Sequence, residues 1–340
     1  MRQQLEGILA EVAAKHADKR LHIFDVQIRS AEANRIALAG RVLEQRNLDE
    51  LRQAMQRAAG AANIDDAQVT VVRKSPPVLR TIATNITDLH KEPSFLAEML
   101  TQVTNGAQLE ILEQHDKWAL VRQTDGYLGW AYLPYMTETQ PAAFTHMVQS
   151  PMSPLIADPA KKLAPLTRLL AGTHVCVTDA RDGWCRIQPA GDMLPSGWTL
   201  AQSLRSLASL PMEPEVARQD MVASARNLTG VYYLWGGCSV MGIDCSGLAQ
   251  LAHRLAGYTI PRDASLQYPA GRVIEEPFLP GDLLFFYNDE RTRIGHVGIS
   301  TGGWNIIHAS RSRNGVYEED VKASESLTRT FAGARSFLPS

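Results

Sequence analysis

The hydrophobic and polar positions in the first part of the chain switch between helical and strand spacing. Leu5, Ile8, Leu9 and Val12 recur at the spacing of one helix face. Strand-like alternation follows in LHIFDVQIR and RIALAGRVL, then a helical stretch in LDELRQAMQRAA and a last strand in QVTVVR. Residues 1–75 are therefore predicted to form a small α+β domain in the order α-β-β-α-β, which ends at the turn-forming KSPP.

A repeated strand pattern comes next. GAQLEILEQHDKW at 106–118 aligns with GTHVCVTDARDGW at 172–184, at an offset of 66 residues. Each copy runs from a glycine through an alternating strand and a polar turn to a tryptophan, and a Gly-Trp pair follows. Short strands with regular turns and periodic aromatic residues are typical of small β-barrels. We predict two such barrels, over residues 76–141 and 142–209, with the tryptophans mainly in their cores.

The pattern changes again after LPMEPEV. A helical stretch near 214–228 leads into VYYLWGG, and a second helix begins at Cys245 with leucines on one face. Three strand-like runs follow, GDLLFFY, GHVGIS and WNIIHAS. Residues 210–340 are predicted to form a further domain of helices and strands, and this domain contains the candidate chemistry.

Cys245 is the candidate nucleophile of this last domain. It follows the glycine-containing stretch GGCSVMGID and stands at the start of a predicted helix. The positive end of the helix dipole and the free backbone N–H groups there favour a thiolate over a thiol. A buried cysteine that begins a helix is more often a packing residue, so a catalytic assignment needs a base.

Two downstream histidines supply that base. His296 lies in GHVGIS and His308 in WNIIHAS, and the TGG between these runs predicts a hairpin centred on Gly302. This turn would place the two imidazoles directly opposite each other, with Cβ atoms roughly 4.5 to 5.5 Å apart. His296 then acts as the base and His308 orients it. The alternative is a zinc site made of Cys245, both histidines and water, although no CxxC or HxxxH spacing supports it.

Composition and charge restrict the classes of function. The 340 residues are 45% hydrophobic and 21% charged, as in ordinary soluble proteins, and the net charge of -2 predicts no binding to nucleic acid or to an anionic membrane. Four cysteines are too few for a disulfide framework in a chain of this size. The first residues favour an amphipathic helix over a signal peptide, so a cytoplasmic location with free thiols is expected.

Several ordered motifs resemble those of one known family. YYLWGGCSVMGIDCSGLAQLAHRLAGYTIPRDASLQ, LPGDLLFF, IGHVGIS and IIHAS resemble the successive motifs of the NlpC-type cysteine peptidases, papain-like hydrolases of cell-wall peptides. The two barrels resemble bacterial SH3-type domains, an arrangement similar to the YkfC-like γ-D-glutamyl-L-diamino acid endopeptidases. The implied fold class is α+β and multidomain, with a small α/β N-terminal unit, two SH3-like β-barrels and a papain-like NlpC-type catalytic domain.

The resemblance also implies roles for individual residues. Cys245 is the nucleophile, His296 the base and His308 its partner, and Tyr233 forms the oxyanion site with the backbone N–H of Cys245. Substrate contacts are implied at a second set of positions, namely Tyr127, Ser246, Asp244, Asp263 and Trp235.

Other features of the same motifs leave specificity open. Asp263 can instead form a structural ion pair with Arg262. Ala107 stands where relatives carry a glutamate near the substrate amine, and Cys238 replaces the arginine common in GGRS. Asp263 or another acid is then expected to meet the amine.

The implied activity is hydrolysis of the γ-D-glutamyl to diamino acid bond of murein peptides. The diamino acid is meso-diaminopimelate or lysine, the peptide has a free N-terminal L-alanine, and the setting is cell-wall peptide recycling. No metal or organic cofactor is implied. The alternatives are an exported hydrolase of intact peptidoglycan that uses the SH3-type pair for wall binding, an amidase or acyltransferase, and a non-catalytic wall-peptide binding protein.

Overall fold

The computed structural model describes residues 1–139, 143–161 and 163–339. The chain divides into two compact units, one made of Met1–Leu79 with Leu109–Trp130 and the other of Arg80–Gln108 with Ala131–Ser340. This division runs through the segment expected to form the first barrel. The domain boundaries given by the sequence therefore remain predictions.

The first unit begins with the expected α-β-β-α-β order. Its elements are α1 Arg2–Lys15, β1 Phe24–Ala31, β2 Arg35–Val42, α2 Gln45–Ala59 and β3 Asn63–Val71. β2 is the central strand, antiparallel to β1 and parallel to β3. The buried faces of the two helices and of the sheet form one core, in which Leu5, Ile36, Leu51 and Met55 are almost fully buried. The α-β-β-α-β order predicted from the sequence is present in the structure.

Short strands fill the two segments predicted to be barrels. The first contains β4 Val78–Ile82, β5 Ile86–His90, β6 Met99–Thr104, β7 Gln108–His115, β8 Trp118–Arg122, β9 Leu128–Tyr132 and β10 Met136–Thr137. The second contains β11 His146–Val148, β12 Met152–Leu155, β13 Thr167–Leu170, β14 His174–Arg181, β15 Trp184–Gln188, β16 Gly197–Leu200 and β17 Leu204–Ser206. In this second segment the strand order is β16-β15-β14-β11-β17, beside a β12-β13 pair.

The repeat in the sequence is also a repeat in backbone conformation. Gly106 and Gly172, just before β7 and β14, both have a φ of 82°. Asp116 and Asp182, in the turns that follow these strands, both have a φ of 50°. A positive φ is readily adopted by glycine and tolerated by aspartate, which explains these residue types at matching positions. The offset of 66 residues therefore marks two copies of one hairpin.

The last part of the chain contains the longest run of mixed elements. They are α3 Pro214–Arg226, β18 Cys238–Ser239, β19 Gly242–Ile243, α4 Cys245–Leu255, α5 Ala264–Ala270, β20 Arg272–Ile274, β21 Leu283–Tyr287, β22 Ile294–Gly302, β23 Asn305–Ser310, β24 Gly315–Asp320, α6 Glu325–Thr330 and β25 Phe331–Ser336. Across the described ranges, no helix has both the length and the apolar composition needed to cross a bilayer.

One sheet organises this region, with the strand order β20-β25-β21-β22-β23-β24. The three predicted strand runs are β21, β22 and β23, and they lie side by side. One face packs on α3 and α4 in the main core, to which Phe285 and Val297 belong. The other face holds a second core that includes Phe286 and Ile306. Because both faces are covered, β21 is apolar at successive positions.

Gly247, in the first turn of α4, offers a test of this packing. A Cβ at this position would lie 2.3 Å from the backbone oxygen of Gly237 and 3.0 Å from Oδ1 of Asp244. The backbone at Gly237 cannot move away from the added Cβ without a cost in free energy. Gly247→Ala is therefore expected to lower the free energy of unfolding by roughly 1 to 3 kcal/mol in chemical denaturation.

The matched control is Gly7→Ala in α1, where nothing lies within 4 Å of the added Cβ. This change is expected to be neutral or to stabilise by roughly 0.5 to 1 kcal/mol, because alanine has the higher helix propensity. Equal effects of the two substitutions would contradict the close approach at Gly247.

Candidate active site

Cys245 occupies the first position of α4, as the sequence predicts. Asp244 is the N-cap residue, and its Oδ1 accepts a hydrogen bond from the backbone N–H of Gly247 at 2.7 Å. Leu248 and Leu251 are buried on the core face of this helix. The helix is therefore fixed at both its apolar face and its N-terminal cap, and the thiol is buried with 8% of the residue exposed.

His296 and His308 meet through their ring nitrogens. Nε2 of His296 lies 2.9 Å from Nδ1 of His308, and the ring centroids are 5.0 Å apart in an edge-to-face arrangement. His296 is on β22 and His308 on β23, which are adjacent strands. The contact between the two imidazoles expected from the sequence is present in the structure.

The register that the sequence predicted for these strands is wrong. The structure pairs Ile299 with Ile307, which leaves Gly298 rather than His296 level with His308. The cause is an irregularity between Ser300 and Gly302 that moves the turn along the chain. The histidines are consequently diagonal neighbours, and diagonal pairs remain within reach of ring side chains.

Glu319 stands behind His308 and was not identified from the sequence. Its Oε2 lies 3.3 Å from Nε2 of His308, although the angle falls outside hydrogen-bond geometry. Tyr317 packs edge-on against the same imidazole at 4.6 Å between centroids. The alternation of side chains in GVYEED on β24 could have located Glu319. Tyr317 pairs with His308, and Glu319 lies two residues further along on the same strand face.

These contacts favour one arrangement of protons on the two rings. A carboxylate beside Nε2 of His308 favours the tautomer with its proton on that nitrogen, so Nδ1 is an acceptor. Nε2–H of His296 then donates to Nδ1 of His308. The Nδ1 atom of His296 keeps its lone pair and is the atom that can accept a proton from a nucleophile.

The thiol of Cys245 is less acidic than its position at a helix start suggests. Burial, followed by the neighbouring charge of Asp244, raises the pKa of Cys245 to about 12. The backbone N–H groups of Val297 and Ser246 and the charge of Arg262 act in the opposite direction without overcoming burial. The expectation of a resting thiolate therefore differs from the structure, in which desolvation exceeds the effects of the two backbone N–H groups and of Arg262.

The imidazoles are also neutral at rest. Burial lowers the pKa of His296 to about 4, and burial together with the charge of His296 lowers that of His308 to about 3. Near pH 7 the site holds a neutral thiol beside neutral imidazoles. A thiolate at Cys245 would then have to form during attack, and the role of His296 as its proton acceptor remains a prediction.

Tyr233 reaches the same site from the segment before Gly236. Burial raises the pKa of Tyr233, and the nearby charges of Cys245 and Asp244 raise it further, while Arg311 lowers it. The hydroxyl thus stays protonated and is a hydrogen-bond donor beside the thiol. Its role as an oxyanion donor remains a prediction.

Asp244 holds the surroundings of Cys245 together. Its Oδ2 accepts from the backbone N–H of Gly236 at 2.8 Å and from Nη2 of Arg262 at 2.8 Å, while Oδ1 accepts from Nη1 of Arg262 at 3.0 Å. Ser246 Oγ donates to Oδ1 at 3.2 Å and accepts from Arg262 at 2.9 Å. Both residues were expected to contact substrate, but the described contacts of these side chains are made to the protein.

Arg262 forms an ion pair with Asp244, at 2.8 Å between Nη2 and Oδ2. The arginine residue is 1% exposed, and its Nε donates to Thr101 Oγ1 at 2.8 Å. Burial opposes its charge, but the charge and hydrogen bonds of Asp244 hold the pKa of Arg262 well above its usual value. The sequence offered Asp263, next to Arg262 in PRDASLQ, as one candidate partner, and the chain folds Asp244 against the guanidinium.

The other residues expected to contact substrate are more scattered. Trp235 is 49% exposed and donates from Nε1 to Oε1 of Glu98 at 3.1 Å. Asp263 is the N-cap residue of α5. Tyr127 belongs to the other compact unit, where it is buried and its N–H donates to the Asp125 carboxylate at 3.0 Å. Substrate contact by these three residues remains a prediction.

Two further candidates from the sequence are the zinc site and the second cysteine of the motif, Cys238. Within the ranges that the structure describes, no group of three or more His, Cys, Asp and Glu side chains is arranged to hold a metal ion. Cys238 contacts other residues, with its Sγ 3.4 Å from Thr101 Oγ1 and its N–H donating to Gln102 Oε1 at 3.2 Å.

Asp244→Asn is expected to destabilise the protein strongly. The substitution keeps the shape of the side chain but leaves the charge of Arg262 buried and uncompensated, which typically costs roughly 3 to 5 kcal/mol. Urea denaturation measures this loss. The control is Glu318→Gln, which breaks an exposed ion pair with Arg226 and should change the free energy of unfolding by less than about 1 kcal/mol. Similar losses in both variants would contradict the structural role of Asp244.

The buried imidazoles predict loss of stability in acid. The folded-state pKa values of His296 and His308 lie below the ordinary value of 6.5, so the unfolded chain binds more protons as the pH falls from 6.5 towards 4. The free energy of unfolding should decline across that window. His308→Asn should flatten the decline by up to about 1.4 kcal/mol per pH unit.

Urea denaturation at stepwise pH values measures this slope. His115→Asn, at an exposed histidine, is the control and should leave the slope unchanged. An unchanged slope in His308→Asn would contradict a neutral, buried His308.

Two family models match parts of the chain. Residues 230–335 match the NlpC/P60 family, and residues 89–131 match the bacterial dipeptidyl-peptidase Sh3 domain. The first of these ranges contains Cys245, His296 and His308.

Similar proteins extend over most of the chain. The gamma-D-glutamyl-L-lysine dipeptidyl-peptidase of Bacillus cereus is 27% identical over 315 residues, covering 81% of this chain and 90% of the relative. Dipeptidyl-peptidase 6 of Lysinibacillus sphaericus is 27% identical over 256 residues, covering 71% and 91%. The crystal structure of an NlpC/P60 family protein from Bacillus cereus superposes with a TM-score of 0.67 at 20% identity, covering 77% of this chain and 100% of that one, which shows a common fold. The chain is therefore a cysteine peptidase that carries an NlpC/P60 domain in residues 230–335 and a bacterial SH3-type segment in residues 89–131.

Proposed function

We propose that this chain hydrolyses the bond between γ-D-glutamate and the diamino acid of murein peptides. The observation that carries the proposal is Cys245 at the start of α4 in the same core as β22, with His296 and His308 joined at 2.9 Å. The names of two relatives, both gamma-D-glutamyl-L-lysine dipeptidyl-peptidases, support the bond and the substrate class.

The first chemical step forms a thioester. Nδ1 of His296 takes the proton of the Cys245 thiol as the sulfur attacks the γ-carbonyl carbon of D-glutamate. The oxyanion is stabilised by the backbone N–H of Cys245 and the hydroxyl of Tyr233. His296 then gives its proton to the nitrogen of the diamino acid as the carbon–nitrogen bond breaks.

Water completes the cycle. His296 removes a proton from water, which attacks the thioester, and the thiol leaves as the carboxyl group of D-glutamate is regenerated. The neighbouring His308 accepts from Nε2–H of His296 throughout, which keeps that ring in one orientation while its charge changes.

We further propose a peptide with a free N-terminal L-alanine, processed in the cytoplasm during cell-wall peptide recycling. Asp263 and Glu98 are the candidate acids for the amine. Glu98 lies beside Trp235, and its Oε2 is 3.2 Å from Nζ of Lys91. The four cysteines are free in the structure.

The test incubates wild type with L-Ala-γ-D-Glu-diaminopimelate, both free and N-acetylated, and follows the products by mass spectrometry. Cleavage of the free peptide to L-Ala-D-Glu and diaminopimelate is expected. Cys245→Ala should reduce turnover by roughly 10⁴-fold or more, because the nucleophile is lost. Cys176→Ala removes a free thiol from β14 and is the matched control.

Other results would favour the alternatives. Equal cleavage of the acetylated peptide would contradict the free-amine requirement and favour action on intact wall. Cleavage of neither peptide would contradict the proposed reaction and favour amidase or acyl-transfer chemistry. Inactivation by a chelator but not by iodoacetamide would favour zinc.

A further inference from the structure

Arg311 is held against the site by two aromatic rings. It begins the 3-10 turn Arg311–Arg313, directly after the strand that contains His308. Its guanidinium carbon lies 5.4 Å from the ring centroid of Tyr233 and 5.5 Å from that of Trp235. A guanidinium stacked on aromatic faces keeps its N–H groups available at the edge of the stack.

The charge of Arg311 has no acidic partner among the residues that the structure describes. The other arginine of the same turn, Arg313, lies 3.9 Å from Glu319, and Arg226 pairs with Glu318 at 2.7 Å. Arg311 is exposed but fixed in place by its stacking. An ordered, uncompensated cation of this kind is suited to binding an anion that arrives from solution.

Tyr233 connects this cation to the nucleophile. The pKa of Tyr233 is raised by burial and by the charge of Cys245, and it is lowered by the charge and hydrogen bonding of Arg311. The hydroxyl therefore has the thiol and the guanidinium among its neighbours.

We propose that Arg311 binds a carboxylate of the substrate next to the bond that is cleaved. The inference rests on the proposed function, because γ-glutamyl peptides carry such carboxylates on both sides of the scissile bond. One is the α-carboxylate of D-glutamate, a short methylene chain from the attacked carbonyl. The other belongs to the diamino acid. In either case the planar guanidinium forms paired hydrogen bonds with the carboxylate.

The experiment compares three peptides that differ by one amide. They are L-Ala-γ-D-Glu-diaminopimelate, the same peptide with the D-glutamate α-carboxylate amidated, and the same peptide with the α-carboxylate of the diamino acid amidated. kcat/KM is measured for wild type, Arg311→Gln, Arg311→Lys and the control Arg226→Gln. Arg226 lies in an exposed ion pair at the end of α3.

Wild type should prefer the free acid over one of the two amides by about 10- to 100-fold, as expected for a charged hydrogen bond. The discriminating amide identifies which carboxylate Arg311 binds. Arg311→Gln should lose that preference by slowing only the peptides that retain the carboxylate. Arg311→Lys should retain part of the preference for the free acid, because lysine keeps the positive charge. The rest should be lost, because lysine lacks the planar guanidinium that forms paired hydrogen bonds. Arg226→Gln should behave as wild type.

Two results would overturn the proposal. Equal loss for all three peptides in Arg311→Gln would mean that Arg311 acts through Tyr233 and not on a carboxylate. A wild-type enzyme that treats both amides as well as the free acid would mean that no carboxylate is bound.

A binding measurement distinguishes failure of this inference from failure of the proposed function. Calorimetry compares the affinity of the three peptides for Cys245→Ala and for Cys245→Ala with Arg311→Gln. Discrimination in binding without turnover by wild type would contradict the proposed reaction while supporting the carboxylate site. Neither binding nor turnover would overturn both.

Discussion

The buried ion pair between Asp244 and Arg262 is the constraint on which the active site depends. Asp244 caps the helix that begins with Cys245, and its other oxygen holds the backbone N–H of Gly236. Arg262 completes the cluster from the loop before α5 and extends it to Thr101 on β6. Neither charge is stable alone in this environment, so the elements that carry them must stay together.

This constraint has a chemical consequence for the nucleophile. Burial raises the pKa of the Cys245 thiol, and the negative charge of the carboxylate that positions this residue raises it further. The same burial keeps His296 and His308 neutral. The structure therefore holds a neutral thiol and neutral imidazoles in place of a preformed ion pair. Proton acceptance by His296 and oxyanion stabilisation by Tyr233 remain predictions.

Hydrophobic periodicity was sufficient to predict the elements but not the side-chain partners. The α-β-β-α-β order, the repeated hairpins and the strands that carry His296 and His308 follow from patterns that are local in sequence. The predicted strand register was wrong because an irregularity between Ser300 and Gly302 shifts the pairing of the two strands. No local sequence pattern indicated this irregularity. The partner of Arg262 was missed because Asp244 is adjacent only in the folded chain.

The residues that sequence reasoning missed share one property, which is that their partners come from separate strands or loops. Glu319 reaches His308 only through the pairing of β23 with β24, and Arg311 reaches Tyr233 and Trp235 across a turn. Motif resemblance predicts the groups that perform the reaction, because they occur in recognisable stretches. The surrounding charges differ: Asp244 and Arg262 neutralise each other inside the protein, whereas Arg311 remains exposed over its two rings. Arg311 has no acidic partner among the described residues, so an anionic substrate can bind its charge directly. The specificity of the protein for its substrate is therefore expected to depend on Arg311 more than on the buried pair.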